Sequence, residues 1–571
     1  MGKMKNNNLI QNKITEREFN LHPDLADFGP VISRVLSSRG ITNKKQISYK
    51  LSSLAPISSL NNINEAVEIL LKYKKDKIVI VGDYDVDGAT SVSLLIRCLG
   101  EFGFDNFSYI VPNRMKDGYG LTLSVVDEAK KRNPKLIVTV DNGISSFKGI
   151  DEARKFGIDV LVTDHHLPGQ SLPNANVILN PNLYDSKFKS PHLAGIGVAF
   201  YLMAGLAKEL ERQGVSNAGK IPLKFLDLVA LGTIADVVKL DFNNRVLVDK
   251  GLKIIRNGDC VKGIKSLIEK SGKNYKKLTS QDLGFSIAPK INASGRLDDI
   301  SIGIECLLTD DIEKANKYSD LLISTNTKRK EIQKKMSNEA SNYVKKFKKN
   351  ELSSCICVYD KNWHQGLVGL IASKLKEEYN RPVFAFAYDD NDTLKGSGRS
   401  VSGIHIKDLL ESISNENPNL IIKFGGHSMA AGLSINEVDY NSFKTSVSHH
   451  IDLIYPDYNY TGDIQTDGLL QPDQLSLNLA NRIQEFGPWG TGFEEPKFHG
   501  KFHIHDQRVV GGYHLKMQVQ PVDGKKIIDA IAFNQKNIIT RESIGFIYKL
   551  DVNEFRGKIT EQLVVDHILQ Y

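Results

Sequence analysis

The sequence lacks several features that would assign it to a specialised class. Its five cysteines are scattered, at Cys98, Cys260, Cys306, Cys355 and Cys357. Because none forms a CxxC pair, they argue against a disulfide framework and a zinc knuckle. The longest nearly apolar run, residues 196–207, contains two glycines and is too short to cross a bilayer. The beginning, MGKMKNNNLIQNK, has no apolar core of a signal peptide. These absences predict a cytoplasmic protein that does not use a membrane.

The composition is that of an ordinary globular protein. Of 571 residues, 41% are hydrophobic and 25% are charged, and there is no internal repeat. A chain of this length is too long to fold around a single hydrophobic core, so we expect three or four domains. The formal net charge of +7 fits a polyanionic partner and a lysine-rich composition equally well.

Apolar runs and amphipathic stretches alternate in the first half of the chain. Four β-rich runs lie at residues 77–81, 107–111, 135–140 and 158–163. Helical patterns such as ATSVSLLIRCL and LSVVDEAKKR separate them. Because the runs are apolar almost throughout, they predict strands buried on both faces, as in a parallel α/β sheet.

The rest of the chain predicts further domains. A helical connector ends in a Lys/Glu-rich stretch that favours a long helix with a solvated face. A second α/β pattern follows, and short alternating strands such as HLKMQVQ, with Leu515, Met517 and Val519 on one face, predict a terminal β-barrel. The predicted division is an N-terminal segment at 1–60, the parallel-sheet domain at 61–250, the connector at 251–350, the second α/β domain at 351–455 and the barrel at 456–571.

Acidic residues follow three of the predicted strands. They are Asp83, Asp85 and Asp87 after the first, Asp141 after the third, and Asp164 with His165 and His166 after the fourth; Asp236 lies in the apolar segment LVALGTIADVVKL. The carboxyl ends of parallel strands face one crevice. Burying that many carboxylates without counter-charge costs several kcal/mol per group. Oxygen ligands with one or two imidazoles favour Mn²⁺ or Mg²⁺ over zinc.

Each piece also has a simpler interpretation. A single aspartate after a strand is commonly a helix N-cap, which applies to Asp141 and Asp164. Asp87-Gly88 and Asn142-Gly143 are frequent turn dipeptides. A His-His pair in a loop usually binds nothing. Together, however, these interpretations need four coincidences at one end of one sheet, so a metal site is favoured.

The segments DYDVDG, VDNG, TDHH and TIADVV resemble the four signature motifs of the DHH phosphoesterase superfamily. The resemblance implies hydrolysis of a phosphodiester with two divalent cations and no covalent intermediate. It assigns the metal ligands to Asp85, Asp87, Asp141, His165 and Asp236, and Asp83 is a further candidate ligand at the same site. It also implies that Asp141 bridges the ions, that His166 faces the scissile phosphate and that Asp164 orients His165. Asp141, His165 and His166 are the candidate catalytic residues.

Two glycine-containing segments indicate which members of the superfamily are most similar. KGSGRS and FGGHSMAAG resemble the DHH-associated domain of nucleotide-cleaving members, and their glycines let backbone approach a phosphate. Arg399, Gly425, Gly426 and His427 are the candidate phosphate contacts there. Without the family, a tight loop explains a Gly-Gly-His-Ser turn equally well.

Further segments resemble the RecJ family of single-stranded-DNA exonucleases. HLAGIGVAFYL, APKINASGRLDD, NTKRKEIQ, WHQGLVGLIASKL and GPWGTGFEEPKF carry this resemblance, which covers residues 20–571. It adds Arg296 as a substrate contact, whereas Lys290 stands where the family pattern has arginine and loses the bidentate fork. It also implies that the barrel is an OB fold, with candidate contacts Tyr513, His514, Lys516, Phe533, Phe555 and Arg556.

The family resemblance implies an activity and partners. It implies 5′-to-3′ degradation of single-stranded DNA to mononucleotides in recombination and repair, by a monomer that works with a RecQ-type helicase and single-strand-binding protein. Three alternatives stay open at this point. One is a nano-RNase or cyclic-dinucleotide phosphodiesterase, the second a non-catalytic single-strand-binding replication factor, and the third an RNA exonuclease.

Overall fold

The structure is a computed structural model and describes residues 14–569 except 115, 348–352, 391, 459, 461 and 556. Arg556, a candidate barrel contact, therefore lies outside the described residues. The chain divides into two compact units. The first contains residues 14–322 and 464–569 of the described chain, and the second contains residues 323–463.

A five-stranded parallel sheet forms the core of the first unit. Its strands are β2 (Ile78–Val81), β3 (Phe107–Ile110), β4 (Leu136–Val140), β5 (Asp159–Thr163) and β6 (Val177–Leu179). Their order across the sheet is β3-β2-β4-β5-β6. β2 and β4 are buried at every position, as their uninterrupted apolar sequences require. The predicted parallel α/β domain is confirmed, and β6 is a strand that the sequence pattern did not predict.

Helices cover this sheet and continue beyond it. They are α1 (Gly29–Ser37), α2 (Ile63–Lys72), α3 (Val86–Glu101), α4 (Leu123–Lys130), α5 (Phe147–Lys155), α6 (Gly195–Arg212), α7 (Leu226–Ala235), α8 (Phe242–Asn257), α9 (Lys262–Lys270), α10 (Ser280–Asp282), α11 (Ala288–Leu297), α12 (Ser301–Leu308) and α13 (Ile312–Val344). A π-helical turn, Leu283–Ile287, directly precedes α11. The 33-residue α13 accounts for most of the Lys/Glu-rich stretch and passes from the first unit into the second.

The end of the chain forms a closed barrel in the first unit. Two short strands, β1 (Ile14–Glu16) and β12 (Ile464–Thr466), pair in parallel, and α17 (Leu477–Glu485) follows. The barrel strands are β13 (Phe498–Val510), β14 (His514–Pro521), β15 (Ile528–Ala532), β16 (Ser543–Phe555) and β17 (Lys558–Leu569). They close in the order β13-β14-β15-β17-β16. Leu515, Met517 and Val519 are buried, which confirms the predicted alternation in β14.

A buried ion pair ties the segment after α1 to the residues that lead into the barrel. The side chains of Arg39 and Asp467 are each 1% exposed. Arg39 donates from both terminal nitrogens to the two carboxylate oxygens, at 2.6 and 3.0 Å. Its Nε donates to the Glu494 carbonyl at 2.7 Å. Asp467 accepts further bonds from the Ser38 hydroxyl and the Lys497 backbone N–H.

The second unit contains a mixed five-stranded sheet in the order β10-β11-β9-β8-β7. The strands are β7 (Ile356–Asp360), β8 (Val383–Tyr388), β9 (Thr393–Arg399), β10 (Lys423–Gly426) and β11 (Ala430–Asn436), and the helices are α14 (Val368–Tyr379), α15 (Ile406–Glu416) and α16 (Tyr440–Ile454). KGSGRS therefore lies in a strand, and a Cβ at Gly396 or Gly398 would lie 2.4 or 2.6 Å from the rings of Phe386 and Phe384. Ring packing explains these two glycines without a phosphate.

In the described part of the chain, every helix is either too short or too polar to span a lipid bilayer.

Candidate metal centre

All of the candidate ligands except Asp236, which ends α7, come from segments that follow three adjacent strands. Asp83 follows β2, Asp141 follows β4, and Asp164 and His165 follow β5. Because β4 pairs with both β2 and β5 in parallel, these chain segments leave the sheet side by side. The carboxyl ends of parallel strands are where open α/β sheets bind ligands.

The loop after β2 holds its carboxylates with backbone donors. Asp85 is the N-cap of α3, and its Oδ1 accepts from the N–H groups of Asp87 and Gly88 at 3.0 and 3.1 Å. Asp87 accepts from the first N–H groups of α6, those of Gly195 and Ile196, at 2.6 and 2.8 Å. Helix N-termini stabilise anions in this way, so both carboxylates are fixed before any ligand binds.

Asp141 and Gly195 approach one another closely. A Cβ at position 195 would lie 2.6 Å from Oδ1 of Asp141, so only glycine fits there. Asp141 itself has φ +62°, a left-handed conformation that non-glycine residues rarely adopt. Such backbone conformations cluster at functional sites because they redirect one side chain.

His165 lies at the centre of the carboxylates. Its Nε2 is 3.1 Å from Asp141 Oδ1, 3.5 Å from Asp236 Oδ2 and 3.9 Å from Asp87 Oδ2. Ligand atoms within 4.8 Å of one another form three groups. The groups are Asp141 with His165 and His166, Asp87 with His165 and Asp236, and Asp83 with Asp85 and Asp141. We call Asp83, Asp85, Asp87, Asp141 and Asp236 around His165 the acidic cluster.

The electrostatics of the acidic cluster call for cations. Burial, reinforced by neighbouring carboxylates, raises the pKa of Asp87 to about 7 and also raises the pKa values of Asp83, Asp141 and Asp236. The buried oxygens Asp83 Oδ1, Asp141 Oδ1 and Asp236 Oδ2 accept no hydrogen bond from any described residue. Buried acceptors are normally satisfied, and hard divalent cations take oxygen ligands of this kind. The residues therefore fit a site for divalent metal.

Asp164 is fully hydrogen-bonded beside this cluster. Its Oδ1 accepts from the backbone N–H groups of His165 and His166 and lies 2.7 Å from His166 Nδ1, while Oδ2 accepts from Ile144. Burial alone would raise the pKa of Asp164, but the bond and charge of His166 lower it to about 2. Asp164 thus holds the backbone of His165, which it was expected to orient, and the ring of His166.

His166 has the opposite electrostatic setting from the cluster carboxylates. Burial would lower its pKa, but the hydrogen bond with Asp164 and the nearby negative charges raise it to about 9. Asp164 and the nearby carboxylates therefore favour the protonated form of this ring.

Several residues at the site were not predicted from the sequence. The Tyr119 hydroxyl donates to the Asp141 carbonyl at 3.1 Å and lies 3.2 Å from His166 Nδ1. The side-chain amides of Asn180 and Asn182 donate to the carbonyls of His166 and His165. Gly195 belongs to a segment that resembles the RecJ family, but that resemblance gave it no role. Gly195 could have been found from its position in that segment. Tyr119, Asn180 and Asn182 are recognised only from their contacts in the folded protein.

Arg296 lies on the helix that packs against residues 83–87, which we call the first metal-ligand loop. α11 carries it, and a Cβ at the preceding residue, Gly295, would lie 2.0 Å from the Tyr84 carbonyl. On the same helix the side chain of Asn292 accepts from the Val86 N–H at 3.1 Å. Lys290 donates to the Ser286 carbonyl.

The other predicted substrate contacts lie at one end of the sheet in the second unit. Arg399 ends β9 and pairs with Ala430 at the start of β11. The next residue of β11, Ala431, pairs with Gly426 at the end of β10. Gly426 has φ +148°, which favours glycine. Gly425 and His427 are exposed on either side of it. Arg399 Nη1 donates to the Ser397 hydroxyl and the Gly398 carbonyl, both at 2.8 Å.

Three of the predicted barrel contacts form an aromatic group. The His514 ring lies 5.9 Å from that of Tyr513 and 5.2 Å from that of Phe533, both edge to face. Tyr513 and Phe533 are more than half exposed, as is Phe555. Lys516 instead forms an ion pair with Asp529 at 3.2 Å.

Three known domain families match this chain. They are the DHH family, N-terminal domain, at residues 77–233, the DHHA1 domain at residues 352–451 and the RecJ OB domain at residues 466–567. Together they cover more than half of its length.

Two relatives that match nearly the whole chain are named RecJ. The chain is 43% identical to the single-stranded-DNA-specific exonuclease RecJ of Escherichia coli K12, covering 98% of this chain and 99% of that protein. It is 45% identical to the RecJ of Haemophilus influenzae, covering 94% and 96%. Among solved structures, RecJ of Thermus thermophilus in complex with Mn²⁺ has a TM-score of 0.78 at 28% identity, covering 95% of this chain and 76% of that one.

Proposed function

This chain belongs to the RecJ family of single-stranded-DNA-specific exonucleases, and we propose that its acidic cluster hydrolyses the phosphodiester bonds of single-stranded DNA with Mn²⁺ or Mg²⁺ bound there. The observation that carries the proposal is the set of buried carboxylate oxygens without a donor, arranged in overlapping groups around Asp141 and His165. A related RecJ has been crystallised with each of these two metals.

Asp83, Asp85, Asp87, Asp141, His165 and Asp236 would hold two ions. Asp141 and His165 each belong to two of the three ligand groups, and the two oxygens of Asp141 would allow it to serve both ions. When bound, two such ions supply Lewis-acid stabilisation of phosphoryl oxygens and increase the acidity of water. The protein's own part is to fix the carboxylates through the N-termini of α3 and α6.

His166 and Asp164 supply a positive charge beside the ions. Asp164 fixes the His166 ring through Nδ1 and favours its protonated form. A cationic imidazole in that position can donate a hydrogen bond to a phosphate oxygen as negative charge develops there. The Tyr119 hydroxyl lies 3.2 Å from the same ring nitrogen.

Contacts farther along the strand would come from basic and aromatic residues. Arg296 in the first unit, and Arg399, Gly425, Gly426 and His427 in the second, are the proposed phosphate contacts. Tyr513, His514 and Phe533 on the barrel offer stacking surfaces for bases. RecJ membership supports 5′-to-3′ polarity, release of mononucleotides, a monomeric state in the cytoplasm, and cooperation with a RecQ-type helicase and single-strand-binding protein.

The test is a time course on single strands labelled separately at each end, with Mn²⁺, Mg²⁺ or EDTA. Duplex DNA, RNA of equal length and a dinucleotide are run in parallel. We expect metal-dependent release of mononucleotides from the 5′ end of the DNA strand. Preferential cleavage of the dinucleotide would instead favour a nano-RNase. Tight binding without cleavage in any metal would favour a replication factor and overturn the proposal.

A further inference from the structure

Val237 has a backbone conformation that does not suit its side chain. It directly follows Asp236, the last residue of the acidic cluster, at the position where α7 ends. Its φ is +62°, the left-handed conformation that helices usually assign to glycine at this position. For a β-branched residue this conformation is a clear outlier.

Packing inside the protein does not explain the valine. The residue is 64% exposed, so its side chain gains little from burial in exchange for the strain. Glycine or asparagine would adopt this backbone more easily. A strained residue at the edge of an active site commonly serves a ligand contact.

A second exposed apolar side chain lies near the same end of α7. Phe285 is 84% exposed and occupies the middle of the π-helical turn, a local geometry that is frequent at functional sites. Its neighbours Leu283 and Ile287 are fully buried, so the turn is anchored while Phe285 points outward. A Cβ at Gly284 would lie 3.2 Å from Cγ2 of Ile234, two residues before Asp236.

We propose that Val237 and Phe285 form an apolar contact surface for a nucleotide of the single strand bound at the acidic cluster. The turn that carries Phe285 packs against Ile234, close in sequence to Asp236. The turn continues into α11, where Asn292 bonds the N–H of Val86, between Asp85 and Asp87. The turn and α11 therefore contact two segments that carry residues of the acidic cluster. An aromatic ring stacks on any base without sequence preference, and an aliphatic group suits a sugar or base face. This inference rests on the proposed function.

The test compares steady-state kinetics of the full chain with Mn²⁺ on oligo(dT). F285A should raise KM at least fivefold with kcat within twofold, since loss of one stacking contact weakens binding by about that factor or more. F285W should restore KM. Because the side chain is exposed, F285A should leave Tm unchanged. F156A, at an exposed phenylalanine that ends α5, is the matched control and should behave like the wild type.

Two further measurements distinguish a contact with the bound nucleotide from a role in stabilising the fold. V237G and V237N should not lower Tm, because both residues adopt this backbone readily, yet they should raise KM severalfold. On an oligomer of equal length with abasic sugars, wild type and F285A should have equal KM values.

Three results would overturn the contact. KM values within twofold of wild type for F285A and both Val237 variants would do so, and so would a persistent F285A defect on the abasic strand. If the wild type neither binds nor cleaves oligo(dT), the proposed function fails and the contact fails with it. An active wild type with unaffected variants would remove the contact alone.

Discussion

The acidic cluster and the Arg39–Asp467 ion pair both bury charge in the first unit, but the protein neutralises only one of them. In the ion pair, each carboxylate oxygen of Asp467 accepts from the guanidinium group of Arg39 and from a second donor. In the acidic cluster, three of the five carboxylates lie within 3.9 Å of one imidazole nitrogen, and three carboxylate oxygens accept nothing from the described residues.

The difference separates structural charge from functional charge. A buried pair with every bond made needs no ligand, and its role is to hold the segment after α1 against the entrance to the barrel. A buried cluster of like charges is destabilising by itself and becomes favourable only when cations bind. Changes to the two sites should therefore affect different properties: activity at the cluster and stability at the pair.

The largest effect is expected for D141A at the acidic cluster. Turnover should fall by about three orders of magnitude or more, because Asp141 belongs to two of the ligand groups, while the fold stays intact. Initial rates on end-labelled single strands with Mn²⁺, together with circular dichroism, measure both. D151A, an exposed aspartate on α5, is the control. Near-normal Mn²⁺-dependent turnover of D141A would remove Asp141 from the site.

D467A should have the reverse effect. It leaves Arg39 buried without its partner, which typically destabilises by about 3–5 kcal/mol. We expect thermal unfolding several degrees lower, whereas the initial rate per folded molecule, measured well below Tm, stays near that of wild type. D473A, an exposed aspartate nearby in the sequence, should change neither. Loss of activity without loss of stability would mean that the ion pair takes part in function.

Sequence patterns predicted the cluster well because strand ends in a parallel sheet converge. Uninterrupted apolar runs located β2 to β5 to within one or two residues, and the residues that follow β2, β4 and β5 then had to lie at one edge. Asp236 could be included only through the family resemblance, since it lies at the end of a helix. The assignment of individual metal ligands and the five domain boundaries stay predictions.

The Arg39–Asp467 pair could not have been predicted, because its partners are far apart in the sequence and neither lies in a recognisable motif. The glycines of KGSGRS were interpreted from the sequence only as residues that let backbone approach a phosphate. Gly396 and Gly398 lie in β9 opposite Phe386 and Phe384 in the register, and their missing side chains make room for the rings. β6 was missed because it has only three residues.

A smaller effect should appear in the stability of the metal-free protein. D236N removes a buried carboxylate whose Oδ2 accepts no hydrogen bond from the described residues, and it should stabilise the protein in EDTA by about 1–2 kcal/mol. Adding Mn²⁺ should raise the Tm of wild type but raise that of D236N less, since a ligand is gone. Equal Mn²⁺ shifts in the two proteins, measured by scanning calorimetry, would show that Asp236 does not bind the metal.

An effect of about the same size is expected for R39K, which keeps the charge of the ion pair and removes its geometry. Lysine cannot donate to both carboxylate oxygens of Asp467 and also reach the Glu494 carbonyl, as the guanidinium group does. We expect a loss of about 1–2 kcal/mol, from one or two hydrogen bonds, seen as a Tm lowered by less than in D467A. If R39K is as unstable as D467A, the fork geometry and not charge neutralisation stabilises the pair, and the contrast with the acidic cluster would then rest on hydrogen bonding alone.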